Sequence, residues 1–377
     1  MPLENSLIGY VVLALLIALM VSFLSTPVVK TFAYKVGAID VPKDGRRMHK
    51  VPIPRLGGLA IFLGFMISIL LLVDITPEMR SILLGAVIIV ILGVVDDIMA
   101  LPAMLKFVVQ ILAALIPATH GVVIQVISNP NLLSAKPYWS LGWLSIPVTV
   151  LWIVAITNAV NLIDGLDGLA NGVSAISAMT VLVIALMTSE VQVAIVMAAL
   201  VGACVGFMPY NLNPAKMFMG DTGATFLGFI LATMSIQGLF KFYAIISFAV
   251  PFLILGLPIF DTAFAFIRRI AHGQSPMQAD RSHIHHRLID MGLNQKQAVA
   301  TLYVISTILG LSAVVLTTGG EEKAMVLFLT LCLVAVVAAR VLFPKEVKEE
   351  LHGELEELKP HHENEEKQNS DQSDQEE

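Results

Sequence analysis

Apolar runs recur from one end of the chain to the other, separated by short polar punctuation. Eleven of them approach or exceed the roughly 20 residues that carry a helix across the hydrocarbon core: 6–27, 57–74, 81–95, 103–120, 143–160, 169–188, 191–208, 222–239, 243–267, 297–317 and 323–343. In lipid such runs must satisfy their backbone polar groups internally, so helices are expected and the fold class is an all-α polytopic membrane protein. The first run is too long for the apolar region of a signal peptide and lacks a small-residue cleavage site, so it is read as a retained span. The third is short on the apolar scale and ends in Asp96-Asp97. The ninth, FAVPFLILGLPIFDTAFAFIRR, holds Pro251, Gly256 and Pro258. Proline removes a backbone donor and bends a helix, either for packing alone or to open a lipid-accessible groove.

The loops fix an orientation. With the N-terminus outside, one inner loop holds Lys30, Lys35, Lys43, Arg46, Arg47, Lys50 and Arg55, and the last holds Arg268, Arg269, Arg281, Arg287 and Lys296. Only Arg80, Lys136, Lys241 and Lys323 then fall outside, which is a strong positive-inside asymmetry. Composition agrees with a membrane protein: 56% of the 377 residues are hydrophobic and 14% charged. The net charge of −6 conceals a division. From Pro344 onward thirteen acidic residues outweigh four basic ones, so the rest of the chain is positive. A transmembrane domain is expected over 1–343 and an acidic, largely disordered cytoplasmic tail over 344–377. Cys204 and Cys332 both lie in apolar runs, where packing is the simplest role.

The unusual polar groups all fall on the inner side in this orientation. Asp96-Asp97 ends the third span and Lys106 opens the fourth. NAVNLIDGLDGL (158–169) caps the fifth, NLNPAKMFMGDTG (211–223) joins the seventh to the eighth, and HIHHRL (283–288) lies in the last inner loop. Each has an ordinary explanation alone: a helix-end charge in water, an Asp-Gly turn, a solvated histidine loop. Five on one face, of different chemical types, point to a site. Carboxylates and amide oxygens suit Mg²⁺ or Mn²⁺. His283, His285 and His286 have loosely zinc-like spacing but no fourth ligand nearby. A divalent ion, cationic side chains and a carboxylate base together suggest phosphoryl transfer at a membrane surface, where catalysis is mainly positioning and charge neutralisation.

At RRMHKVPIPRLGG (46–58), VVDD (94–97), NAVNLIDGLDGLANG (158–172), NLNPAKMFMGDTG (211–223), PIFDTAFAFIRR (258–269) and HIHHRL (283–288), the chain resembles the polyprenyl-phosphate N-acetylhexosamine-1-phosphate transferases over residues 10–340. The resemblance implies transfer of a sugar 1-phosphate from a UDP-sugar to undecaprenyl phosphate, with release of UMP and dependence on Mg²⁺, or Mn²⁺ in its place. It implies Asp221 as the principal metal ligand with Asn161 assisting, and Asp96, Asp97 and Lys106 as catalytic residues handling the acceptor phosphate. Asn158, Asn161, Asp164, Asp167 and Asn211 are expected to line the donor pocket. His283, His285, His286 and Arg287 are expected to contact donor phosphates and sugar, and Lys50 to touch substrate. HIHHRL is similar to the branch that uses UDP-N-acetylglucosamine and includes the teichoic-acid-initiating enzymes. Expected partners are therefore that donor, undecaprenyl phosphate, membrane lipid and a second copy of the chain as a homodimer, without nucleic acid, in the bacterial cytoplasmic membrane. The alternatives are a phospho-MurNAc-pentapeptide transferase and, from another class, a cation-coupled transporter. A transporter would need ionisable groups near the bilayer midplane, and the span centres are nearly free of them.

Overall fold

The computed structural model describes residues 2–42, 51–128, 138–240, 249–271 and 283–319, with short pieces at 322–323, 325–329 and 331–332. Two compact units are present, Met1–Phe328 and Leu329–Glu377, and almost every described residue belongs to the first. Lys50, most of the run 323–343 and the acidic tail lie outside the described residues.

Twelve helices are described: α1 (Pro2–Val36), α2 (Gly57–Leu72), α3 (Pro77–Met99), α4 (Ala103–Thr119), α5 (Ser145–Leu162), α6 (Leu169–Met187), α7 (Val191–Asn211), α8 (Gly220–Ser235), α9 (Ala249–Ile254), α10 (Gly256–Ala271), α11 (Ile284–Asp290) and α12 (Gln295–Gly319). Two short antiparallel pairs join them: β1 (Ile39–Asp40) with β2 (Ile53–Pro54), and β3 (Val126–Ser128) with β4 (Tyr138–Ser140). Six helical stretches are long and apolar enough to cross a membrane: Leu7–Val36, Pro77–Met99, Gly142–Leu162, Leu169–Met187, Val191–Asn211 and Gln295–Thr317. Helices α2 and α4 are shorter and equally apolar. The protein is thus helical and multi-pass. Leu13, Leu16, Leu24 and Val28 on α1 are exposed, as a lipid-facing surface requires.

Among the described residues, three of the expected spans differ from a simple helix. The third is longer than its apolar core, because Thr76 caps it by accepting from the Met79 N–H at 3.2 Å, Pro77 opens it, and Asp96 and Asp97 lie inside its last turn. The eighth is α8, continued by a π-helical turn over Ile236–Phe240. The ninth breaks at Leu255, between α9 and α10. Pro258 has no N–H to offer Ile254, the residue four before it. The Ile254 carbonyl instead accepts from the Ser177 hydroxyl of α6 at 2.9 Å, so the freed backbone group is satisfied by a neighbouring helix.

Helix α8 is the centre of the bundle. Every residue from Thr222 to Ser235 is buried, and α2, α3, α5 and α6 surround it. Phe226 stands edge-on to Phe62 and Phe65, and Trp152 of α5 donates to the Ser235 hydroxyl at 3.1 Å. Small residues allow the backbones this close. The pair Gly202 and Gly206 on α7 rests on the backbone of Leu15 and Leu19 in α1, and the Ser22 hydroxyl donates to the Ala203 carbonyl at 2.8 Å. A side chain at Gly202 would meet the Leu15 carbonyl head-on. Gly202→Leu is accordingly expected to destabilise the bundle by about 2–3 kcal/mol through overpacking, read as an earlier thermal transition in detergent.

Candidate active site

The site begins with how α8 is started. The residue before it, Met219, has helical backbone angles and offers no side-chain cap. The cap comes from α3. One oxygen of Asp97 accepts from the Asp221 N–H at 3.1 Å, and the other accepts from the Thr222 N–H at 3.0 Å and its hydroxyl at 2.7 Å. A buried carboxylate at a helix N-terminus satisfies orphan donors and complements the helix dipole. Arg55 donates its Nε to the same carboxylate at 3.1 Å. The approach needs glycine: Gly220 has φ of +72°, and its α-carbon lies against the Arg55 carbonyl and the Asp97 carboxylate. The Gly57 and Gly58 N–H groups donate to the carbonyls of Phe218 and Met219 at 2.9 and 2.8 Å, tying the start of α2 to the same turn.

Once α8 is fixed this way, Asp221 faces a group of side chains from three other helices. The Lys106 ammonium of α4 lies 2.9 Å from an oxygen of Asp221 and 2.9 Å from an oxygen of Asp96. Asn161, in the last turn of α5, donates its amide to Asp221 at 3.3 Å. The other Asp96 oxygen accepts from the Leu101 N–H at 2.6 Å, just past the end of α3. Asp96, Lys106, Asn161 and Asp221 therefore meet where four helices end or begin. The four expected at this point from sequence are brought together.

A cavity of about 600 Å³ opens beside them. Its walls are Asp40, Val51, Ile53 and Arg55 of the first loop, the turn 161–167, the segment 211–221, His286 and Gln295. Asp164 stands on this wall half-buried, and its carboxylate makes no hydrogen bond among the described residues. Burial, reinforced by the charges of Asp221 and Asp97 and opposed by Arg55, pushes its carboxyl up to about 8. A raised folded value means that the native state holds the proton longer than the unfolded chain. The resulting stability is complete below the usual 3.8 and is lost as the pH rises to about 8. Asp164→Asn should flatten this part of the dependence, measured as the melting temperature of ligand-free protein from pH 5 to pH 8.

Asp167 and Asn211 also line the cavity. Asp167 accepts from the Asn213 amide at 2.9 Å and the Ala215 N–H at 3.0 Å, and so shapes the loop before α8. Asn211 donates to the Met217 carbonyl at 3.1 Å, while its own carbonyl oxygen is sealed in the interior and has no hydrogen-bond partner among the described residues.

Asp96, Asp97 and Lys106 stand beside the cavity rather than on its wall, and four of the described residues expected to bind the donor do not line it either. Asn158 donates its amide to Gln110 of α4 at 2.6 Å and to the Val154 carbonyl at 2.8 Å. Three-residue spacing drifts about 60° around a helix, enough to turn Asn158 toward α4 while Asn161 faces Asp221. His283 and His285 are buried behind the wall, their rings stacked with centroids 5.8 Å apart. Burial, with His286 and His283 adjacent and Asp261 opposing, lowers His285 to about 4, so its ring is neutral and no phosphate-binding cation. Arg287 is exposed, its guanidinium over the Phe264 ring at 5.8 Å. Of HIHHRL, His286 is the residue on the cavity wall. Lys50 lies outside the described residues.

Sequence reading passes over Arg55, Phe218, Asn213 and Gln295. Arg55 was visible as a cation directly before the Leu-Gly-Gly start of α2, but its pairing with Asp97 is a tertiary fact. Phe218, flanked by methionines in an apolar stretch, reads as core, yet it is half-buried on the cavity wall.

The donor set also tests for a metal. Among the described residues no three His, Cys, Asp or Glu side chains converge to hold an ion by themselves. Asp221 offers a carboxylate and Asn161 an amide oxygen, with Asp164 unpartnered on the same cavity wall. One or two hard oxygen ligands, completed by substrate phosphates, is the habit of Mg²⁺ rather than of a closed cage, so the residues fit that ion.

Residues 79–239 match Glycosyl transferase family 4. The chain is 40% identical over 307 residues to the probable undecaprenyl-phosphate N-acetylglucosaminyl 1-phosphate transferase of Bacillus subtilis (strain 168), covering 81% of this chain and 85% of that one. It is 30% identical over 318 residues to the decaprenyl-phosphate N-acetylglucosaminephosphotransferase of Mycolicibacterium smegmatis, covering 77% and 78%. It is 34% identical over 210 residues to the phospho-N-acetylmuramoyl-pentapeptide-transferase of Heliobacterium modesticaldum, covering 52% and 65%. With four helix ends joined around Asp221 and relatives of this length and identity, the chain belongs to the polyprenyl-phosphate hexosamine-1-phosphate transferases, a family of membrane phospho-sugar transferases.

Proposed function

We propose that the protein transfers N-acetylglucosamine 1-phosphate from UDP-N-acetylglucosamine to undecaprenyl phosphate, releasing UMP, at the cytoplasmic face of a bacterial membrane. The observation that carries the reading is the Lys106 ammonium shared by Asp96 and Asp221 beside a cavity of about 600 Å³. Such a cavity is large enough for a nucleotide sugar. The names of the relatives supply the donor and acceptor classes. The glycan that follows is proposed to be wall teichoic acid, and the working unit a homodimer.

In this reading an oxygen of the lipid phosphate attacks the phosphorus that bears the sugar. The bond from that phosphorus to the bridging oxygen breaks, and the oxygen leaves with UMP. Asp96 takes the proton of the acceptor phosphate. Lys106 compensates charge on the acceptor side. Phe218 receives the base by its ring face, and Asn211 stands on the same wall. His286 lies against the donor. Mg²⁺ or Mn²⁺ at Asp221 and Asn161 would neutralise charge on the phosphates. One phosphoanhydride replaces another, so the reaction should run readily in both directions.

The test is UMP release by purified protein in detergent with undecaprenyl phosphate and Mg²⁺, offering UDP-N-acetylglucosamine and UDP-MurNAc-pentapeptide separately and adding EDTA as a control. EDTA-sensitive turnover with the first donor alone is expected. Turnover with the second alone would move the chain to the other branch, and none with either in folded protein would reopen the transporter reading.

A further inference from the structure

Asp261 has no part in the chemistry just described, yet it is 3% exposed in a helix that otherwise turns phenylalanines outward. It lies on α10, one to two turns past the break at Leu255. Its two oxygens are fully used, and both point at α11. One accepts from the Ile284 N–H at 2.7 Å, the first residue of that helix. The other bonds His283 Nδ1 at 2.9 Å. His283 is the N-cap residue of α11 and makes no side-chain cap of its own, so the cap is supplied from α10.

What α11 carries explains why this matters. His285 points inward and lays its ring on Gly165, in the turn that bears Asp164. A Cβ at Gly165 would strike the His285 Nε2. The His286 ring lies beside that of His285, with centroids 4.3 Å apart, and reaches the cavity wall. The helix has seven residues, too few to hold its place by its own hydrogen bonds. A small gap of about 10 Å³, lined by Asp261, His285 and apolar residues, remains at the joint. Ile284, Leu288 and Ile289 rest on the core and the helix packs on α12, while Asp261 and the His285–Gly165 contact fix its N-terminal end.

We infer that Asp261 is a positioning residue for the donor: it fastens α11 to the bent helix α10, and through that fastening sets His286 in the nucleotide-sugar cavity. The inference rests on the proposed transferase activity. It assigns Asp261 to donor binding, with no role in acceptor binding or proton transfer.

The experiment is a double-mutant cycle on the full chain in detergent, using Asp261→Asn, His286→Ala and the pair. UMP release gives kcat and the KM for each substrate. Asp261→Asn is expected to raise the donor KM about tenfold while kcat and the acceptor KM change less than about threefold. In the His286→Ala background it should add nothing to the donor KM, because both variants remove the same contact. Additive losses, or a fall in kcat with both KM values unchanged, would overturn the inference. Amide exchange over 284–290 reads the fastening without substrate. It should accelerate in Asp261→Asn and more in Asp261→Ala, and unchanged exchange would also overturn it. Should Asp261→Asn fail to fold, His283→Gln leaves the Ile284 cap in place and is expected to raise the donor KM in the same cycle; no rise would count against the proposal. Wild-type protein without turnover on either UDP-sugar would defeat the transferase reading instead, an outcome distinct from active protein with additive losses.

Discussion

Asp221→Asn should abolish turnover, by roughly 10³-fold or more in kcat/KM, and leave the fold intact. The size follows from what the carboxylate gathers. One of its oxygens receives both the Lys106 ammonium and the Asn161 amide, and its side chain remains 22% exposed toward the cavity. An amide in its place loses the negative charge that Lys106 balances and the hard oxygen that a divalent ion requires. Stability is expected to hold, because the α8 cap uses the backbone N–H of residue 221 and the side chain takes no part in it. The checks are UMP release across a Mg²⁺ titration and a thermal melt of the same preparation. Turnover within tenfold of wild type at saturating Mg²⁺ would overturn the proposal that Asp221 holds a metal ion.

That polar side chains gather at one end of the bundle was legible in the sequence, because they sit where apolar runs stop. A charge placed at the end of a span is inexpensive to keep and easy to see, and Asp96, Lys106, Asn161 and Asp221 were visible for that reason. The helices α2, α4, α6 and α7 follow their apolar runs closely for the same cause. Side-chain direction was harder. Asn158 and Asn161 look equivalent as text, but one binds Gln110 and the other Asp221. HIHHRL shows three histidines without saying that two are buried and one lines the cavity. The bend of the ninth run was readable from its prolines. Its place was not, since that depends on Ser177 of another helix accommodating the Ile254 carbonyl. Little in the text separates Asp96 from its neighbour, because their difference is made largely by tertiary partners: Asp97 meets the start of α8, more than a hundred residues away, and Arg55, while Asp96 meets Lys106 and the Leu101 N–H.

That difference gives the second large effect. Consecutive residues on a helix point about 100° apart, so Asp96 and Asp97 cannot share an environment. Asp97 accepts from Asp221, Thr222 and Arg55 with a side chain that is 0% exposed. It has no lone pair facing a substrate. Asp96 gives one oxygen to the Leu101 N–H and the other to a lysine that it shares with Asp221. Asp97→Asn should thus act through stability. An amide nitrogen must face either Thr222 or the pair Arg55 and Asp221 N–H, donor against donor, and Arg55 loses its buried counter-charge at a cost of about 3 kcal/mol. The melting temperature falls and activity falls with it as Asp221 loses its seat. Asp96→Asn should cost less stability than Asp97→Asn: its carbonyl still accepts from Leu101, and the part-exposed Lys106 can swing away from the new amide nitrogen while keeping Asp221. Its kcat should nonetheless drop about 10²–10⁴-fold, and the acid limb of the pH–rate profile should vanish with the base. Melting curves and pH–rate profiles of the two variants, measured side by side, separate the roles. An Asp97→Asn protein that melts like wild type yet is inactive, beside an Asp96→Asn protein that keeps its acid limb, would reverse the assignment and make the capping carboxylate the base.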